Sequence, residues 1–172
     1  MTRSRLIKRS ALAAALLVAA GIAYCAMIPN ARFDVPFEAG KKNSVVETQI
    51  GVPTTMTYQF ELNLYYDSQN RARVRELAGT GESRDEKRIN NGLPIPVRLS
   101  IGKVAENGRW SILDKVFAEH EYGGNAFVYF SKRIVRIRLA PDRYRVRIEA
   151  LEDIRELDGI PVHFSILVPG NA

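Results

Sequence analysis

The chain has 172 residues, 46% of them hydrophobic and 26% charged; this excludes a disordered chain and leaves, after an N-terminal segment of about 30 residues, one ordinary domain able to bury a core. The formal net charge is +6, but Arg3, Arg5, Lys8 and Arg9 precede Cys25 with no acid among them, and the rest of the chain holds 21 basic against 19 acidic residues. The excess charge therefore belongs to a targeting segment and does not point to nucleic acid.

The first element is the basic, apolar, polar order of the N-terminus. Residues 11–28, ALAAALLVAAGIAYCAMI, carry no charge, and Pro29 and Asn30 end the run. The basic residues hold the N-terminus in the cytoplasm, so the rest of the chain emerges on the far side. Residues 1–28 are thus a signal peptide or a signal anchor, and three fates stay open. The apolar core of a signal peptide runs about 7–15 residues and ends in small residues, as Gly21-Ile22-Ala23 offers. A spanning helix needs about 20 apolar residues, so this run sits at the short limit. The stretch IAYC (Ile22 to Cys25) resembles a lipobox, which makes Cys25 a candidate lipid-attachment site, although Tyr24 stands where a small residue is usual. That cysteine is the only one, so no internal disulfide forms, and there is no CxxC, HExxH or Cys/His cluster. Neither a cofactor nor a metal is expected.

Residues 29–43 read as a linker and first strand, with Phe33, Val35 and Phe37 alternating, and residues 44–172 as the folded domain. The run TMTYQFELNLYYD is the clearest strand. Met56, Tyr58, Phe60, Leu62, Leu64 and Tyr66 share one face and Thr57, Gln59, Glu61, Asn63 and Tyr65 the other, a half-buried antiparallel pattern. Residues 68–78, SQNRARVRELA, predict a helix with Ser68 as N-cap and Ala72, Val74, Leu77 and Ala78 on its apolar side. The polar, Gly-bounded residues 79–92 predict an exposed loop. Strands follow at Ile95–Ile101 and Ile112–Phe117, joined through Glu106-Asn107-Gly108. YGGN (Tyr122 to Asn125) reads as a turn. The last strands are FVYFSKRIVRIRL, YRVRIEAL and GIPVHFSILVPG, with one helical turn in EDIRELDG.

Short alternating strands separated by Gly, Pro, Asn and Asp predict an all-β fold. The specific expectation is an immunoglobulin-like antiparallel β-sandwich of seven or eight strands with one short helical crossover, preceded by the N-terminal hydrophobic helix. LAPDRY supplies a corner: Pro141-Asp142 turns the chain between two apolar runs, and Leu139, Pro141 and Tyr144 resemble the tyrosine corner of Greek-key sandwiches. The stretches YGGNAFVYFSKRIVRIRLAPDRYRVRIEAL and GIPVHFSILV, behind an export signal, resemble an uncharacterised family of bacterial cell-envelope proteins, a domain of unknown function. The resemblance implies a secreted or lipid-anchored β-sandwich and brings no catalytic residues with it.

Seven basic residues fall within positions 132–147, against one acid, Asp142. Arg136 and Arg138 share one face of their strand, and Arg143, Arg145 and Arg147 share one face of the next. If those strands pair as a hairpin, they form a candidate binding face for anionic headgroups, glycans or an acidic protein. The alternative is a solvated face neutralised by acids such as Glu61 or Glu149. His120 stands between two glutamates that a strand would point away from it. His163 reads as a surface residue, and Trp110 as edge-of-core packing.

No nucleophile motif and no phosphate loop is present, so no catalytic residue is assigned. The expected function is that of a non-enzymatic binding module, periplasmic or inner-membrane anchored facing the periplasm. Its partners would be the membrane, through the N-terminal segment, and a protein, as for an immunity-type or accessory factor. A structural component recognising anionic lipid or glycan, and a hydrolase whose carboxylates converge only in the fold, are the alternatives.

Overall fold

Alternation becomes strand nearly everywhere it was read. In the computed structural model, which describes residues 33–79, 92–107 and 109–169, the elements are β1 (Phe33–Pro36), β2 (Val45–Val52), β3 (Met56–Tyr65), α1 (Arg71–Ala78), β4 (Val97–Lys103), β5 (Leu113–Phe117), β6 (Glu121–Asn125), β7 (Tyr129–Leu139), β8 (Asp142–Ala150) and β9 (Val162–Leu167). Short 3-10 turns occupy Val104–Glu106 and Arg155–Leu157. The strands form a five-stranded sheet, β1-β9-β3-β7-β6, and a four-stranded sheet, β2-β8-β4-β5. Every pairing among them is antiparallel.

One apolar core serves both sheets. Phe60, Leu62, Leu64, Phe164 and Ile166 come from the five-stranded sheet and Leu99, Ile101, Tyr144, Val146 and Ile148 from the other. Phe164 is fully buried, stacked on Phe60 and edge-on to Phe33. Two layers, each apolar inside, bury that surface against each other, a sandwich-like arrangement.

The nine strands among the described residues exceed the seven or eight expected. YGGN is the extra one: Tyr122–Asn125 belongs to β6 and not to a turn, because Gly124, at φ 135, absorbs a register shift against β7. The first strand, read together with a linker, is an edge strand bound to β9. The helix begins at Arg71, later than a Ser68 cap would place it. Asp67 accepts the N–H groups of Gln69 and Asn70, at 2.8 and 2.9 Å, while Asn70 accepts the N–H of Asp67 at 2.9 Å. This closed local turn competes with helix and delays it. Val74 and Ala78 are buried, whereas Ala72 is exposed.

β3 is buried on both faces rather than on one, including Gln59, Glu61 and Asn63. It lies in the middle of its sheet, and the polar side chains of neighbouring strands cover its outer face. At the end of β7 the chain turns through Ala140-Pro141. The buried Tyr144 ring donates its hydroxyl to the Ala140 carbonyl at 2.9 Å, and Asp142 accepts the N–H of Arg143 at 2.7 Å. This corner carries the chain from one sheet to the other. β7 and β8 therefore do not pair, so the condition for one shared arginine face, a β7–β8 hairpin, is not met.

Cys25 and the expected N-terminal helix lie outside the described residues, as do Gly108 and residues 80–91 of the expected loop. Among the described residues, no helix is long and apolar enough to cross a membrane.

Candidate functional site

The corner divides the arginines. Arg136 and Arg138 lie on the outer face of the five-stranded sheet; Arg143, Arg145 and Arg147 lie on the outer face of the four-stranded sheet. They do not form one face. On the four-stranded sheet, Arg147 pairs with Glu149 at 3.2 Å, Arg145 reaches Glu47 at 4.0 Å, and Arg143 donates to Gln49 at 3.3 Å. Arg145 also stacks its guanidinium 4.4 Å from the centre of the Trp110 ring, so Trp110 supports a cation instead of sealing the core edge. Glu47 on β2 and Glu149 on β8 itself thus interleave with the cations and relieve their repulsion. On the other sheet, Arg136 donates to Gln59 at 2.7 Å, Gln59 donates to Glu61 at 2.7 Å, and Arg133 pairs with Glu121 at 2.5 Å. Lys132, counted in the same basic run, points inward: its ammonium donates to the carbonyls of Leu77 and Ala78, both at 3.3 Å. There it caps the C-terminus of α1, where a cation is favoured. Burial lowers its pKa to about 8.

Sequence reading missed a polar cluster on the outer face of β1, β9 and β3. Asp34 accepts from His163 Nδ1 at 3.0 Å, Tyr65 Oη at 3.0 Å, Asn63 Nδ2 at 3.3 Å and the Ser165 hydroxyl. Asn63 also donates to Ser165 Oγ at 2.7 Å. His163 is therefore part of a half-buried network rather than a plain surface residue. Burial by itself would raise the Asp34 pKa; the hydrogen bonds from Ser165, His163, Tyr65 and Asn63 outweigh it and hold the carboxyl below the ordinary 3.8. An Asp–His pair orients an imidazole, as general bases require. Here the fully buried Ser165 hydroxyl and the Tyr65 hydroxyl both donate to the carboxylate, not to the imidazole. The arrangement ties three strands together and presents no aligned nucleophile.

His120 is also buried. Its Nε2 lies 2.7 Å from the Ile95 carbonyl, which can only accept, so Nε2 carries the proton and Nδ1 is the bare nitrogen. Nδ1 has no hydrogen-bond partner among the described residues. Burial, and secondarily the Lys132 charge, lower the pKa of His120 to about 4. Among the described residues no group of three or more His, Cys, Asp or Glu side chains could hold a metal.

The edge of the five-stranded sheet is uneven. β6 pairs with β7 only from Phe130 to Arg133. Beyond that point, Ile134 is an extra residue in the register against β3, and Val135 to Leu139 pair with β3 alone among the described residues. Val135 and Ile137 face the core side yet stay only half-buried, because no strand flanks them on the second side. A cleft of about 460 Å³ opens there, lined by Glu119, Glu121, Arg133, Ile134, Val135 and Arg136. Outward-pointing Arg136 and Arg138 are exposed along the same edge. An edge like this either repels or recruits another strand.

A family model, the domain of unknown function DUF5625, matches residues 34–168. The chain belongs to this family. The match runs from Asp34 in β1 to just past β9, so the DUF5625 domain is the whole two-sheet unit. A crystal structure of a protein from Sulfurospirillum deleyianum is 20% identical, with a TM-score of 0.61, covering 84% of this chain and 100% of that one; the likeness shows a shared fold. A family GH115 4-O-methyl-α-glucuronidase with specificity for decorated arabinogalactans is 11% identical, with a TM-score of 0.35, and covers 76% of this chain but 14% of its own. A TM-score that low carries nothing over to the DUF5625 domain. No curated protein matches the chain significantly.

Proposed function

We propose that this DUF5625 domain is a non-enzymatic binding module exported to, or tethered in, the bacterial cell envelope, and that it takes a protein partner by strand addition along the open edge of β7. The basic, apolar, polar N-terminus supports export, and Cys25 is the candidate attachment point if the tether is lipid. The tyrosine corner favours an immunoglobulin-like reading of the sandwich, a fold class in which binding without catalysis is common. A non-catalytic role is favoured by how the polar groups are used. Ser165 is locked onto Asp34, and Glu121 in the cleft is taken up by Arg133.

The observation that carries the reading is the half-covered β7. An incoming extended segment would find, over Val135 to Leu139, a strand side that pairs with no other described residue. Its apolar residues would cover Val135 and Ile137, and its alternate positions would meet Arg136 and Arg138. The fitting partner segment alternates apolar and acidic residues. Main-chain hydrogen bonds would supply the affinity and the alternation the specificity. An immunity-type or accessory protein, acting by capture of one partner, fits that mode.

A photo-crosslinking residue at Ile137, introduced into the full chain in its native host, tests this. A discrete crosslinked protein is expected from Ile137 and none from Val116, which is exposed on β5 of the other sheet. No product at Ile137, or equal products at both positions, would refute strand addition at β7.

A further inference from the structure

The hairpin joining β6 to β7 ends in an apolar tip, at the end of β7 opposite the open edge. Phe127 is 100% exposed and Val128 is 52% exposed. A fully exposed phenylalanine on a convex turn is unusual in a soluble surface, and this tip is held firmly. The N–H of Ala126 donates to the Tyr129 carbonyl at 2.9 Å, and the Tyr66 hydroxyl donates to the Ala126 carbonyl at 2.9 Å. Arg71 lies over the Tyr66 ring, 5.4 Å from its centre. The neighbouring Asp67 turns Oδ1 to the backbone N–H groups of Gln69 and Asn70. The apex is therefore apolar, Tyr66 is bonded at its base with Arg71 over the ring, and the Tyr129 ring beside it packs on Tyr65 at 5.3 Å.

We propose that this tip is a bilayer-docking wedge: Phe127 and Val128 enter the interfacial region of an anionic membrane, Tyr66 and Tyr129 sit at headgroup depth, and Arg71 meets the phosphates. The layering matches the interfacial preferences of these side chains. A convex apex with a single aromatic ring suits a medium that deforms around it, whereas a protein partner would need a matching pocket. The attraction of the cation adds a salt-sensitive part. One short apolar tip binds weakly alone, so the wedge would orient a domain that a second signal already holds at the membrane. This surface is separate from the β7 edge, and the two readings fail independently.

The test uses the full chain with Phe127→Trp in a Trp110→Phe background, mixed with phosphatidylglycerol–phosphatidylethanolamine vesicles. Acyl chains brominated near the headgroup should quench the tryptophan about twofold relative to plain lipid. Arg71→Ala or high salt should weaken the quenching. A chain with its single tryptophan at position 116 instead should not be quenched. Equal emission in brominated and plain vesicles would overturn the wedge, as would quenching at position 116 but not at 127. Circular dichroism confirms that each variant is folded.

Discussion

Replacing Asp34 with alanine is expected to destabilise the domain by about 3 kcal/mol, read from the urea midpoint at neutral pH. Four donors converge on this carboxylate, from Ser165, Asn63, His163 and Tyr65. Ser165 and Asn63 are fully buried, so their donors are poorly placed to find water once the acceptor is gone. A net hydrogen bond is worth roughly 1 kcal/mol, but a buried donor left unsatisfied costs about 1–3 kcal/mol. Asp34→Asn keeps the shape and one acceptor, and should fall between wild type and Asp34→Ala. The carboxyl is held below 3.8 in the folded state. Its stabilisation is therefore present above that value and is lost as pH falls through the lower folded pKa. The Asp34→Ala effect should shrink in strong acid.

Acidification from pH 6.5 to pH 4 should remove about 3 kcal/mol of stability through His120 alone. The folded pKa is about 4 against the ordinary 6.5. Between those values the unfolded chain binds a proton and the folded chain does not, so stability falls as pH falls. The physical cause is burial of the ring, joined by the Lys132 charge nearby. His120→Gln keeps a donor for the Ile95 carbonyl and removes the titration. The difference in urea midpoint between pH 7 and pH 4.5 should therefore be smaller in the variant than in wild type. An equal loss in both proteins would mean that His120 protonates freely in the folded state. Lys132 follows the same sign in its own window, with stability rising from about pH 8 towards 10.5.

Much of the fold was legible because periodicity reports faces. The inner residues of β3 and β9 could be assigned from alternation, and the corner at Leu139, Pro141 and Tyr144 from its Pro-Asp turn and the tyrosine that follows. What alternation cannot report is which strands lie beside one another. A Pro-Asp turn serves a hairpin and a sheet-to-sheet corner equally well, and that choice decides whether five arginines share a face. The Asp34 cluster was illegible for the same reason. Its members come from β1, β3 and β9, and Asp34 and His163 stand 129 positions apart. Each was visible only as a polar residue on the outer side of a strand. The inward turn of Lys132 was illegible because the bulge at Ile134 shifts the register. The residues before the bulge face opposite to the way the arginine alternation beyond it suggests.

The β7 edge was not anticipated either, since it depends on how far β6 extends. Partner capture by strand addition depends on its being open. Residue-resolved amide hydrogen exchange on the purified full chain tests it most directly. If the edge is open, every second amide from Ile134 to Arg138 should exchange orders of magnitude faster than its neighbours bonded to β3, while Phe130 to Arg133 stay protected on both sides. Uniform slow exchange through Leu139 would mean that the edge is already covered, and strand addition there would be excluded.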